Sequence, residues 1–131
     1  GYHDVDTAVL VGAGNLGRSL LSYDGFSDYG LEIAAAFDRD PALAGTTIAG
    51  KPVLPLEKLA DLCCRMQIHL GILAVPAEDA QSVCDILVSS GVLAIWNFAP
   101  VRLSVPEDVL VRNEDIAGSL AVLAKRLAEK L

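Results

Sequence analysis

At 131 residues the chain is long enough for one domain with a real core and too short for a cofactor domain plus a substrate domain. It is 53% hydrophobic and 21% charged, which excludes a disordered segment, and its net charge of −7 argues against this stretch gripping nucleic acid itself. No apolar run is long enough to span a bilayer and no secretory pattern opens the sequence, so a cytoplasmic chain with no membrane attachment is expected.

Residues 7–11 read as a buried strand running into Gly12-Ala13-Gly14-Asn15-Leu16-Gly17, after which Leu16, Leu20 and Leu21 mark a helix. Gly12 lets the chain leave the strand in a tight turn. Gly14, without a β-carbon, lets a pyrophosphate approach the backbone, and Gly17 lets the helix pack close to the strand. The open N–H groups and dipole of the helix start make an anion site, so Gly12, Gly14, Asn15, Leu16 and Gly17 are expected to bind a nucleotide cofactor. A glycine triplet alone is weak evidence and also fits a bland tight turn. The strand before it and the helix after it supply the context that a dinucleotide site requires.

A loop rich in turn formers follows at residues 23–30, and residues 31–38 then form a strand that is apolar on both faces, as buried parallel strands are. It ends at Asp38, at the distance from the glycines where a dinucleotide fold places the acid that hydrogen-bonds the adenosine ribose. A turn cap in Asp38-Arg39-Asp40-Pro41 is the plainer alternative. A carboxylate there repels a 2′-phosphate and favours NAD over NADP, a preference that Arg39 weakens.

Residues 51–54 read as a short strand that Pro52 places at a sheet edge, and residues 55–65 as a helix. Residues 68–75 form an apolar strand ending at Pro76, and a helix over 78–89 stops at Gly91. Residues 92–98 and 108–112 supply a fifth and a sixth strand. This β-α alternation predicts a doubly wound, Rossmann-type α/β fold with a parallel sheet. Ligands of such sheets lie beyond the carboxyl ends of the strands. One crevice is therefore expected to be lined by the glycine loop, Asp38, Val75, Pro76, Asn97, Phe98, Ala99 and Pro100. The two proline loops are mostly apolar and suit a flat nicotinamide ring, with Asn97 as their polar group, although both also fit simple strand termination.

Residues 113–115 offer a helix cap, and residues 116–131 form one long C-terminal helix. Ile116, Leu120, Leu123, Leu127 and Leu131 make an apolar stripe beside a row of alanines, a wide face that must pack on its own sheet or on a second subunit. Cys63, Cys64 and Cys84 have neither disulfide nor metal-ligand spacing and read as small apolar residues in a reducing cytosol, with a thiol sensor as the alternative. No metal site is expected.

With these residues on the page, the chain resembles the cofactor-sensing domain of the Rex-type redox-sensing transcriptional repressors. The resemblance rests on residues 11–18 (VGAGNLGR), 36–41 (AFDRDP), 72–78 (ILAVPAE), 97–103 (NFAPVRL), 105–106 (VP) and 111–115 (VRNED). The glycine loop alone is shared with many dehydrogenases; the proline loops and residues 113–115 are more particular. The resemblance implies NADH/NAD as cofactor and a homodimer in which each C-terminal helix, residues 115–131, swaps onto the partner. It further implies that Tyr23 and Asp115 meet across that dimer when NADH is bound. Family members bind operator DNA through an N-terminal winged-helix domain, which this sequence lacks. The sequence starts at Gly1 rather than Met, as a trimmed or excised fragment does; either a domain upstream has been removed or the natural protein lacks it and serves another purpose.

Two rival functions stay open. A hydride-transferring dehydrogenase needs an acid–base group beside the nicotinamide. The only histidines are His3, in the N-terminal tail, and His69, at the wrong end of its strand, so no enzyme is expected. A CoA-binding domain shares the fold and glycine loop, but Asp38 would resist the 3′-phosphate of CoA.

Overall fold

The computed structural model describes residues 6–131, so His3 lies outside the described residues. Seven strands form one sheet in the order β3-β4-β2-β1-β5-β6-β7, built from β1 (Asp6–Val11), β2 (Leu31–Asp38), β3 (Thr47–Ile48), β4 (Lys51–Pro55), β5 (Leu70–Leu73), β6 (Ala94–Asn97) and β7 (Leu110–Asn113). Helices α1 (Asn15–Leu21), α2 (Leu59–Met66) and α3 (Ala77–Ser89) connect strands, and α4 (Ile116–Lys130) closes the chain. All pairings are parallel except β3 with β4. The strand order reverses beside β1, and in doubly wound sheets that switch point is where ligands bind.

Each face of the sheet carries its own core. Val9, Val11, Ala35 and Phe37 point to one side, against Leu59 and Cys63 of α2 and Val83, Cys84 and Leu87 of α3. Ala8, Leu10, Ile33, Ala36 and Ile72 point to the other, where Leu21 of α1 covers them. Side chains alternate along a strand, yet Ile33 and Ala36 share a face. The cause is an extra residue, Ala34: Ala8 pairs with Ile33 and Val9 with Ala35, so the parity of β2 switches at that bulge.

Several expected boundaries change. Residues 51–54 do not form an edge strand, because β3 pairs antiparallel outside them. Pro52 is accommodated there because the parallel register with β2 begins only at Val53. Pro55 ends β4, and a 3-10 turn (Leu56–Lys58) precedes α2. The strands expected over 68–75 and 92–98 pair only over the shorter stretches given above, and the one expected over 108–112 forms two residues later and runs on to Asn113. Ile68 serves the end of α2 instead, its N–H donating to the Cys63 carbonyl at 3.0 Å.

The C-terminal helix is capped as residues 113–115 suggest: the Asp115 carboxylate accepts the Gly118 N–H at 2.8 Å. None of its residues is buried, and Leu120 and Leu123 are each 65% exposed. Its apolar face therefore does not pack on its own sheet. Among the described residues no helix is long and apolar enough to cross a membrane.

Candidate functional site

The glycine loop leaves β1 at Gly12, whose φ of +104° an L side chain rarely adopts. Its N–H donates to the Phe37 carbonyl at 2.8 Å, and a β-carbon there would press on the Ala74 carbonyl. A β-carbon on Gly17 would strike the carbonyl oxygen of Gly12, so helix and loop touch only because residue 17 is glycine. Gly14 differs. Nothing lies within 4 Å of the position its β-carbon would take. It caps α1 without a side-chain hydrogen bond and with no acid in the first turn, which leaves the N–H groups around Asn15, Leu16 and Gly17 uncapped by side chains.

Asp38, half-buried at the end of β2, ties this loop to its own turn. Its Oδ2 accepts the Ala13 N–H and its Oδ1 accepts the Asp40 N–H, each at 2.8 Å. The ribose and turn-cap readings are therefore compatible. A carboxylate offers about four acceptor sites, so two remain free for a ligand hydroxyl pair.

Beyond the ends of β1, β2 and β5 opens a cavity of about 740 Å³, lined by Gly12, Gly14, Asp38, Val75 and Pro76 among others. That is within the range of small-molecule sites. Sequence reasoning missed its remaining walls. Leu43, Leu56 and Val83 supply apolar surface, and Asp40, Asp79 and Ser82 supply polar groups. Asp79 and Arg39 form an ion pair at 3.0 Å. The only signal for Asp79 was an acid in the first turn after Pro76.

The second proline loop does not line this cavity. Asn97 is 0% exposed, and its amide is consumed internally. Nδ2 donates to the Val101 carbonyl at 2.9 Å and to Asn113 Oδ1 at 3.0 Å, while Oδ1 accepts the Ala99 N–H at 3.0 Å. Asn97 thus shapes the loop rather than offering a free polar group, contrary to the expectation, because a buried amide must find partners. Phe98 is half-buried with its ring 4.7 Å from Trp96, and Ala99 and Pro100 line a separate hollow of about 390 Å³ that includes Asp115.

Tyr23 packs edge-on against Phe26 at 4.7 Å, and Phe26 against Trp96 at 5.9 Å. Trp96 Nε1 donates to Glu114 Oε1 at 3.2 Å, so a chain of rings links Tyr23 to the residue before Asp115. Tyr23 and Asp115 themselves make no hydrogen bond to one another within one chain.

The cysteines divide. Cys63 and Cys84 are buried, and burial pushes the Cys63 thiol up to about 11, with Cys64 adding to the effect; the Cys84 thiol is also raised by burial and then by Asp85. Cys64 is exposed, unlike the small buried residue expected, because adjacent helix positions point apart. Among the described residues no cluster of three His, Cys, Asp or Glu is placed to hold a metal.

Comparison with known proteins places this geometry. Residues 4–101 match the family described as CoA binding domain. The chain is 42% identical over 127 residues to the redox-sensing transcriptional repressor Rex of Bacteroides fragilis, covering 97% of this chain and 58% of that protein. The crystal structure of RSP in complex with β-NAD+ and operator DNA superposes with a TM-score of 0.94 at 37% identity, covering 99% of this chain and 60% of RSP. RSP in complex with β-NADH gives 0.91 at 36% identity, covering 98% and 62%. RSP is described as a Rex-family repressor. The chain thus spans 58–62% of the length of these relatives. Matched over most of its length, with a doubly wound sheet and a glycine loop at the switch point, the chain belongs to the CoA-binding domain family and is a relative of the Rex redox-sensing repressors.

Proposed function

We propose that this chain is the NADH/NAD+-binding domain of a redox-responsive repressor. The observation that carries the reading is the crevice itself, where an open Gly14, an uncapped α1 and a half-buried Asp38 with acceptor sites to spare meet in one cavity. Gly12, Gly14, Asn15, Leu16 and Gly17 would hold the pyrophosphate through backbone N–H groups. Asp38 would accept from the adenosine ribose, with Leu43, Leu56 and Val83 as apolar wall. Val75, Pro76, Phe98, Ala99 and Pro100 leave the neighbouring strands β5 and β6 and would flank the nicotinamide, with Asn97 holding their loop in shape.

The bound cofactor supplies a ring that is neutral when reduced and cationic when oxidised. The apolar groups at Val75 and Phe98 disfavour an unpaired cation, which gives the chain a physical basis for preferring NADH. To act as a sensor, that preference must differ between two dimer geometries, since equal affinity for both shifts nothing. Two apolar surfaces uncovered in a single chain favour such a homodimer: the stripe of α4, and a hollow of about 370 Å³ beside Trp96 lined by Leu70, Ala94 and Leu110. A second copy would cover both, with Tyr23 and Asp115 coupling the nucleotide to the interface. The net charge of −7 argues against DNA contact by this chain itself.

A dehydrogenase role has less support. The crevice lining holds carboxylates, Arg39 and Ser82 but, among the described residues, no histidine or lysine, and His69 sits just before β5 at its amino end. The CoA reading meets three acids, Asp38, Asp40 and Asp79, in the same wall. Calorimetric titration with NADH, NAD+, NADPH and CoA, with oligomeric mass recorded in each case, tests the proposal. Tight NADH binding to a dimer with much weaker NAD+ binding is expected. Comparable NADH and NAD+ affinities would count for the enzyme, and CoA binding alone would overturn the assignment.

A further inference from the structure

Arg39 stands where a Rossmann site that accepts a 2′-phosphate places its arginine, next to the acid at the end of β2. By position alone it should admit NADPH as readily as Asp38 excludes it. The structure settles where its charge goes. Arg39 Nη1 lies 3.0 Å from Asp79 Oδ1, and both residues line the same cavity. The two partners are unequal: the Asp79 side chain is 18% exposed, the Arg39 side chain 67%. Asp79 is also held by its backbone, since its N–H donates to the Pro76 carbonyl at 3.0 Å in the first turn of α3. The carboxylate is the more buried member of the pair and the guanidinium the more exposed one.

We propose that Asp79 is a specificity-determining residue, which draws the Arg39 guanidinium across the mouth of the crevice and denies it to a 2′-phosphate. The assignment rests on the reading that the crevice takes a dinucleotide. Asp38 does not do this job: its oxygens accept the Ala13 and Asp40 N–H groups, and the Arg39 guanidinium is paired with Asp79 instead. With Arg39 paired, a 2′-phosphate meets three carboxylates, Asp38, Asp40 and Asp79, and no free cation among the residues lining the cavity. An ion pair this exposed on one side adds little stability. Its effect lies in where it parks the charge.

The test compares dissociation constants for NADH and NADPH in the wild-type chain, Asp79→Asn, Arg39→Ala and the double variant. The ratio of the NADPH to the NADH constant should fall about fivefold or more in Asp79→Asn, the size of a recovered charge-assisted contact to phosphate. In the double variant that gain should disappear. An unchanged ratio in Asp79→Asn, or a gain that survives removal of Arg39, overturns the proposal. Asp79→Ser gives the same comparison if the asparagine variant folds poorly. A wild-type chain that binds neither dinucleotide refutes the underlying reading, whereas NADH binding with an unmoved ratio refutes only the role of Asp79.

Discussion

Replacing Asp38 with alanine separates its two roles. The carboxylate satisfies two backbone donors, and one of them belongs to Ala13, which is 1% exposed. Water has little access to that N–H, so its loss of a partner costs roughly 1–3 kcal/mol. The second bond, to Asp40 in an exposed turn, is replaced by water at little cost. A net loss of about 2 kcal/mol in a domain of this length lowers Tm by about 8 °C. In addition, losing acceptor bonds from a charged group to the ribose weakens NADH binding by about 10–100-fold. Differential scanning calorimetry at fixed protein concentration measures the first effect and NADH titration below the lowered Tm measures the second. A wild-type Tm would refute the bridge to the glycine loop. A lowered Tm with wild-type NADH affinity would instead refute the ribose contact.

Other perturbations test separate parts of the argument. Gly17→Ala sets a methyl group on the Gly12 carbonyl, which no rotamer change relieves, so it should cost about 1–3 kcal/mol and distort the loop; wild-type stability and NADH binding would contradict that geometry. Paired substitutions Leu120→Glu and Leu123→Glu on the exposed face of α4 should leave circular dichroism nearly unchanged while light scattering shows a monomer, and a retained dimer would move the interface elsewhere. Asp115→Ala removes the cap on Gly118 at a cost of about 1 kcal/mol and should also weaken NADH binding or its link to the dimer. Unchanged affinity and mass would confine Asp115 to capping. At pH 8 iodoacetamide should label Cys64 and spare Cys63 and Cys84 until the chain unfolds. Because the folded chain keeps the Cys63 proton up to about 11 against an ordinary 9.0, the stability from that thiol is intact below pH 9 and lost on rising through pH 11; stability that is flat across that window would argue against the burial.

Local signals carried much of this protein in its sequence. Gly12, Gly14 and Gly17 each have a job set by backbone geometry, and the structure shows a positive φ, an open approach and a contact that only glycine permits. The apolar runs of β1, β2 and β5 identified a doubly wound sheet, because strands buried on both faces have no polar side. The cap at Asp115 was equally legible, since it depends on residues within one turn. What the sequence left open depends on residues far apart in the chain. Whether Asn97 faces a ligand or spends its amide on Val101 and Asn113 is decided by the pairing of β6 with β7. The extra strand β3 is too short to show a period and forms only because β4 offers it an edge. Arg39 follows the end of β2 and Asp79 sits in the first turn of α3, and only the tertiary fold, which brings both to the crevice, decides that they pair. The bare face of α4 is the same kind of case: the stripe is written in the sequence, but only the folded chain shows that α4 lies off its own sheet with none of its residues buried.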